Sequence, residues 1–149
     1  GDRTRPYGLV LGADVGYYHP LLRPLLDAVD ACTCPRDGLA VVVGTAIRQG
    51  QWDLWKAMRD GAYNPRMDVR EGPWDGRTEM VLYDLVEERL VYGPNVDGDG
   101  IGIVRTVVTE DPIAVLLYGR GDGREIVDSL VRNEKVASDE DEKNQMISF

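Results

Sequence analysis

Apolar residues fall into two short unbroken runs, Leu9-Val10-Leu11 and Leu39-Ala40-Val41-Val42-Val43, with a helical stripe between them. Unbroken runs of this length predict strands buried on both faces, as in parallel sheets. In the stripe, Leu21, Leu22, Leu25, Leu26 and Val29 recur at helical spacing; Pro20 and Pro24 suit the first turn of that helix, where a proline removes no needed donor. Pro35-Arg36-Asp37-Gly38 carries turn chemistry, so the order is strand, helix, turn, strand. That is a parallel βαβ unit with a right-handed crossover, which ends both strands on one rim of the sheet. A second amphipathic helix is predicted from Gln51 to Arg59, with Trp52, Trp55 and Met58 on a core face and Gly61 as its stop.

Beyond Tyr63 the pattern shortens to β-like pieces at Met67–Val69, Met80–Tyr83 and Arg89–Tyr92, then strengthens at Ile101–Val108 and Ile113–Tyr118. The short joint Thr109-Glu110-Asp111-Pro112 predicts that the last two form an antiparallel hairpin at the sheet edge. From Gly119 the chain turns polar. Arg124–Arg132 reads as a short amphipathic helix, and Ser138–Lys143 as a solvated, disordered acidic stretch. The expected organisation is therefore residues 1–119 as the folded unit and 120–149 as an acidic tail.

Composition narrows the function classes. A net charge of −9, from 26 acids against 17 bases, lacks the basic stripe of a phosphate-tracking nucleic-acid binder. No apolar stretch reaches membrane-spanning length and no signal peptide is visible, so a cytoplasmic or nuclear protein is expected. The chain opens on Gly1 without Met, which fits a fragment or a processed product. Cys32 and Cys34, spaced C-x-C with no further Cys or His nearby, read as reduced thiols rather than a zinc site or a strained disulfide.

The chemistry-bearing stretch is Gly12-Ala13-Asp14-Val15-Gly16-Tyr17-Tyr18-His19, where the first strand hands an acid and two phenols to the turn before a helix. In open α/β sheets ligands bind outside the carboxyl ends of the strands, so this turn is the candidate site. Thr45 and Arg48, after the second strand, belong on the same rim. Asp14 has a competing reading as a helix N-cap or Asx-turn residue, Tyr17 and Tyr18 as packing residues, and Arg48 as a surface cation. His19, the single histidine, reads as a helix-entry residue, and Trp52 and Trp55 as core. Asn95-Val96-Asp97-Gly98-Asp99-Gly100 imitates half an EF-hand loop, but Thr106 stands where the closing acid belongs and an apolar strand follows, so a hairpin turn is the better reading.

From Leu9 to Leu26 the sequence resembles the fourth strand and following helix of class I, seven-strand methyltransferases, in particular their protein-lysine methyltransferase branch, which carries an acid, two variable residues and an aromatic at this strand end. Asp14-Val15-Gly16-Tyr17 matches that pattern, and Leu39–Arg48 resembles the family's fifth strand and the arginine after it. The resemblance covers roughly Tyr7 to Tyr63, with a weaker match near Ile113–Tyr118. It implies an α/β, partial Rossmann-like sheet, a parallel βαβ unit followed by an antiparallel edge pair, and S-adenosylmethionine-dependent methylation of a protein lysine. It casts Asp14 and Tyr17 as catalytic, Ala13 and Asp14 as touching cofactor, and Tyr17, Tyr18 and Arg48 as touching the protein substrate. No metal and no nucleic acid is implied, and oligomeric state stays open. The family builds its cofactor pocket from a first strand, a glycine-rich turn and an acid ending a second strand; none is present, so this chain corresponds to the carboxyl-terminal half, incomplete and inactive alone. The segment from Gly72 to Val108 is longer than the family pattern. The rival reading is a non-catalytic α/β module or pseudoenzyme that binds a partner protein.

Overall fold

The computed structural model describes residues 6–16, 19–61, 74–84, 86–94, 101–109 and 111–147. The first strand, β1 (Leu9–Ala13), is followed by a 3-10 turn at His19–Leu21 and helix α1 (Leu22–Cys32). Strand β2 (Leu39–Thr45) then pairs parallel to β1, with Leu9 opposite Leu39 and Ala13 opposite Val43, so both carboxyl ends reach one rim. Helix α2 (Gln49–Asp60) ends where Gly61 takes the left-handed conformation (φ 62°) and donates its N–H to the Ala57 carbonyl at 3.2 Å.

The four-stranded sheet runs β1-β2-β6-β3, with β3 at Arg77–Tyr83 and β6 at Ile113–Gly119. Strand β6 lies antiparallel between β2 and β3, so the molecule is α/β with a partial Rossmann-like mixed sheet whose edge pair is antiparallel. The hairpin expected between Ile101–Val108 and Ile113–Tyr118 does not form. Strand β5 (Ile101–Thr109) instead pairs over nine residues with β4 (Val86–Pro94) in a separate ribbon, and β6 takes the gap between β2 and β3. A nine-residue antiparallel partner close in sequence captures β5, while β6 is apolar on both sides and suits a sheet interior. The ribbon accounts for the long segment before β6. Its connecting residues 95–100 lie outside the described residues, as do Met67–Val69, but Pro94 pairs with Ile101 across their ends.

Helices α1 and α2 cover one sheet face. Leu22, Leu26 and Val29 pack there with Ala40, Val42, Trp52, Met58, Met80, Leu116 and Tyr118. Each fully buried aliphatic chain contributes roughly 1.5–3 kcal/mol. Helix α3 (Gly123–Val131) covers part of the other face, setting Val127 and Val131 against Leu39, Val81 and Leu117. Its apolar contacts lie on β2, β3 and β6. Leu9 and Leu11 are 55% and 71% exposed, which corrects the expectation of a strand buried on both faces: among the described residues β1 is an edge strand with a helix over one face only.

Ser138 to Lys143 also departs from the sequence expectation. Asp139–Ile147 form helix α4, whose Glu142 side chain is 5% exposed and meets Lys56 of α2 at 2.8 Å, while Asp139 meets Arg59 at 3.1 Å. Two of the acids that suggested a solvated tail, Asp139 and Glu142, find countercharges on α2. No helix among the described residues is long and apolar enough to cross a membrane.

Candidate functional site

Asp14 stands one residue past the end of β1. Its N–H donates to the Val43 carbonyl at 2.7 Å, extending the ladder to β2, and its φ of 51° then turns the chain off the sheet. It is the one non-glycine residue with positive φ among the described residues. Aspartate tolerates this region better than most residues because its side chain is short and polar. The N-cap of α1 is Leu21, so the N-cap reading of Asp14 falls away.

The turn leads to Gly16, whose carbonyl oxygen lies so close to Gly50 that a Cβ at position 50 would overlap it. The starts of the two helical connections are thereby locked together. Behind the rim, fully buried Gln51 donates its side-chain amide to the carbonyls of Val42 (2.8 Å) and Ala114 (3.0 Å), tying α2 to β2 and β6 at once. Its carboxamide occupies the space that a side chain at Gly44 would need.

These constraints leave a cleft of about 250 Å³ lined by Ala13, Asp14, Val43, Gly44, Thr45, Arg48 and Ile113. Its floor is apolar, and its rim carries one carboxylate and one guanidinium, both exposed. Thr45 Oγ1 is buried without a hydrogen-bond partner. Arg48 sits at the N-cap position of α2, where its N–H donates to the Thr45 carbonyl at 3.1 Å and its own carbonyl accepts from Gln51 N–H at 3.1 Å.

Ala13, Asp14, Thr45 and Arg48 are thus brought to one cleft, as the parallel reading of the strands requires. Tyr17 and Tyr18 lie outside the described residues, and His19 opens the 3-10 turn. Trp52 and Trp55 are core residues, 1% and 2% exposed, packed edge-to-face at 5.6 Å. Cys32 and Cys34 are free thiols. Sequence reasoning missed Ile113, which reaches the cleft only because β6 pairs with β2, and Gln51. A polar residue on the helical face of Leu54 and Trp55, three and four positions on, was the available signal for Gln51.

A cleft of this size falls below the roughly 300–1,000 Å³ that small-molecule and cofactor sites occupy. It accepts the end of a side chain, and it does not fit a whole S-adenosylmethionine. Its lining can hold an aliphatic stem against Ala13, Val43 and Ile113, with Asp14 available to a cationic end and Arg48 to an anionic one. No family model, curated protein or solved structure matches the chain, so the site is read from its own geometry.

Proposed function

We propose that this chain is the acceptor-side half of an S-adenosylmethionine-dependent protein-lysine methyltransferase domain. The observation that carries the reading is the cleft itself: a carboxylate at φ 51° standing over an apolar floor at the shared carboxyl ends of two parallel strands. Because the cleft does not fit the cofactor, no transfer step is assigned to these residues; their part is to hold the acceptor. A lysine amine, with an unperturbed pKa of about 10.4, must lose its proton before it can accept a methyl group. The apolar floor disfavours the ammonium, whereas Asp14 favours it. Asp14 therefore serves as a hydrogen-bond acceptor that fixes the nitrogen's direction, and the floor supplies the desolvation.

The small cleft also favours a second reading, a non-catalytic module that clasps a lysine or arginine of a partner protein. One experiment separates the two: labelled-methyl transfer into lysate proteins by a domain in which this chain is joined to a cofactor-binding half. The methyltransferase reading expects labelled lysine from the joined domain, none from residues 1–149 alone, and a drop of about 10²-fold or more for Asp14→Ala with cooperative unfolding retained. Joined domains that never label protein, or that label equally without the Asp14 carboxylate, leave the binding module as the better account.

A further inference from the structure

The two edges of the four-stranded sheet carry their extra bridges at different places, within β3 on one side and before the start of β1 on the other. At the β3 edge, Lys135–Ala137 add a short antiparallel bridge: Leu82 N–H donates to the Lys135 carbonyl at 2.9 Å and Ala137 N–H to the Met80 carbonyl at 2.8 Å. Among the described residues no strand lies alongside Leu9–Ala13 on the β1 edge; just before the strand, Tyr7 is already bridged, its N–H donating to the Cys32 carbonyl at 2.6 Å and its carbonyl accepting from Cys34 N–H at 2.9 Å. At its two ends the strand is tied to β2 by Gly8, whose carbonyl accepts from Leu39 N–H, and by Asp14, whose N–H donates to the Val43 carbonyl. Alternation along a strand then turns the backbone groups of Leu9, Leu11 and Ala13 toward the open side. Exposed edges are ordinarily blunted by lysine, proline, a bulge or an inward charge. Leu9 to Ala13 contains none of these, and Leu9 and Leu11 are 55% and 71% exposed.

We propose that this edge is a dimerisation surface whose occupant is β1 of a second copy of the chain, paired antiparallel about a two-fold axis at Leu11. The strand complements itself. Its outward-facing residues are centred on Leu11, so the two Leu11 residues exchange both backbone bonds and each Leu9 does the same with the opposing Ala13. The sequence Leu9-Val10-Leu11-Gly12-Ala13 also runs from large to small, so reversal sets Leu9 opposite Ala13 and Val10 opposite Gly12. A parallel neighbour would lose that match. No charge lies within the strand, so pairing it with its own copy sets no like charges opposite each other despite the net charge of −9 on each chain. A two-fold axis normal to the sheet keeps the Leu9 and Leu11 side chains of both copies on one face, where they cover each other. The inference does not depend on the methyl-transfer reading.

The test is made on the 149-residue chain. Light scattering after gel filtration is expected to give twice the chain mass of 16.6 kDa at about 100 μM, falling to one mass for Leu11→Lys with an unchanged circular dichroism spectrum. Should Leu11→Lys misfold, cysteine trapping decides the matter. In a Cys32→Ser, Cys34→Ala background, Leu11→Cys places its thiol on a hydrogen-bonded antiparallel pair with Cα atoms about 5.5 Å apart, within disulfide range. It is expected to oxidise to a covalent dimer, whereas Ile126→Cys, on exposed α3, is not. A single chain mass throughout the concentration range, or equal trapping at positions 11 and 126, overturns the proposal.

Discussion

Tyr118 joins residues that no local pattern connects. Its ring is 1% exposed and packs edge-to-face on Trp74 at 4.8 Å, and its hydroxyl donates to Asp75 Oδ1 at 2.7 Å across 43 residues of sequence. That hydrogen bond holds the Asp75 carboxyl below its usual range; partial burial opposes the shift, and the Arg120 guanidinium supports it. A carboxyl whose folded pKa is depressed stabilises the fold fully above the unfolded value of about 3.9, and that contribution disappears as pH falls through the folded value. Tyr118→Phe is therefore expected to lower stability by about 1 kcal/mol near neutrality, a figure kept small because the Asp75 side chain is largely exposed. In urea melts from pH 7 to pH 3 the gap between variant and parent should narrow below pH 4. A constant gap would remove Asp75 from the account. The same contrast explains which site residues were legible. Asp14 and Arg48 follow predictable strands, so their place on a shared rim can be read locally; Ile113, Gln51 and the Tyr118–Asp75 pair acquire their roles only through long-range pairing of β6.

Of helices α1, α2 and α3, α2 was the easiest to read and is the most thoroughly enclosed. Trp52, Trp55 and Met58 mark its core face, and Gly61 ends it in the conformation that glycine adopts most readily. The unforeseen element is α4, because acidic stretches read as solvated unless a basic surface waits for them, and Lys56 and Arg59 are separated from it by about 80 residues. The position of β6 was hidden for a related reason: strand strength can be read from Ile113–Tyr118, but the choice of partner depends on what β4 offers β5. The α2–α4 contact makes a sharp expectation. Glu142 is nearly buried, so removing its partner strands a charge rather than merely deleting a surface pair. Lys56→Met should cost about 1–3 kcal/mol and speed amide exchange in residues 139–147, and adding Glu142→Gln should recover part of the loss. If exchange in α4 is unchanged in Lys56→Met, the ion pair does not hold the helix.

For the molecule as a whole, the β1 edge ties the functional reading to the association reading. One row of outward N–H and C=O groups admits one strand. The methyltransferase reading needs a cofactor-binding half whose sheet continues past β1, since among the described residues that is the side of the sheet on which β1 has no neighbouring strand. The dimer uses the same row. The two occupants are mutually exclusive, and by linkage whatever binds the edge more tightly suppresses the other. A domain joining a cofactor-binding half to this chain is thus expected to run as a monomer at concentrations where residues 1–149 run as a dimer, and its Leu11→Cys form should resist both oxidation to a dimer and modification by a maleimide. Raising the concentration should not restore the dimer, because an intramolecular strand competes at an effective concentration of order millimolar. Were the joined domain still to dimerise through Leu11, the cofactor half would have to dock elsewhere, and Asp14 would no longer face a methyl donor across the crevice.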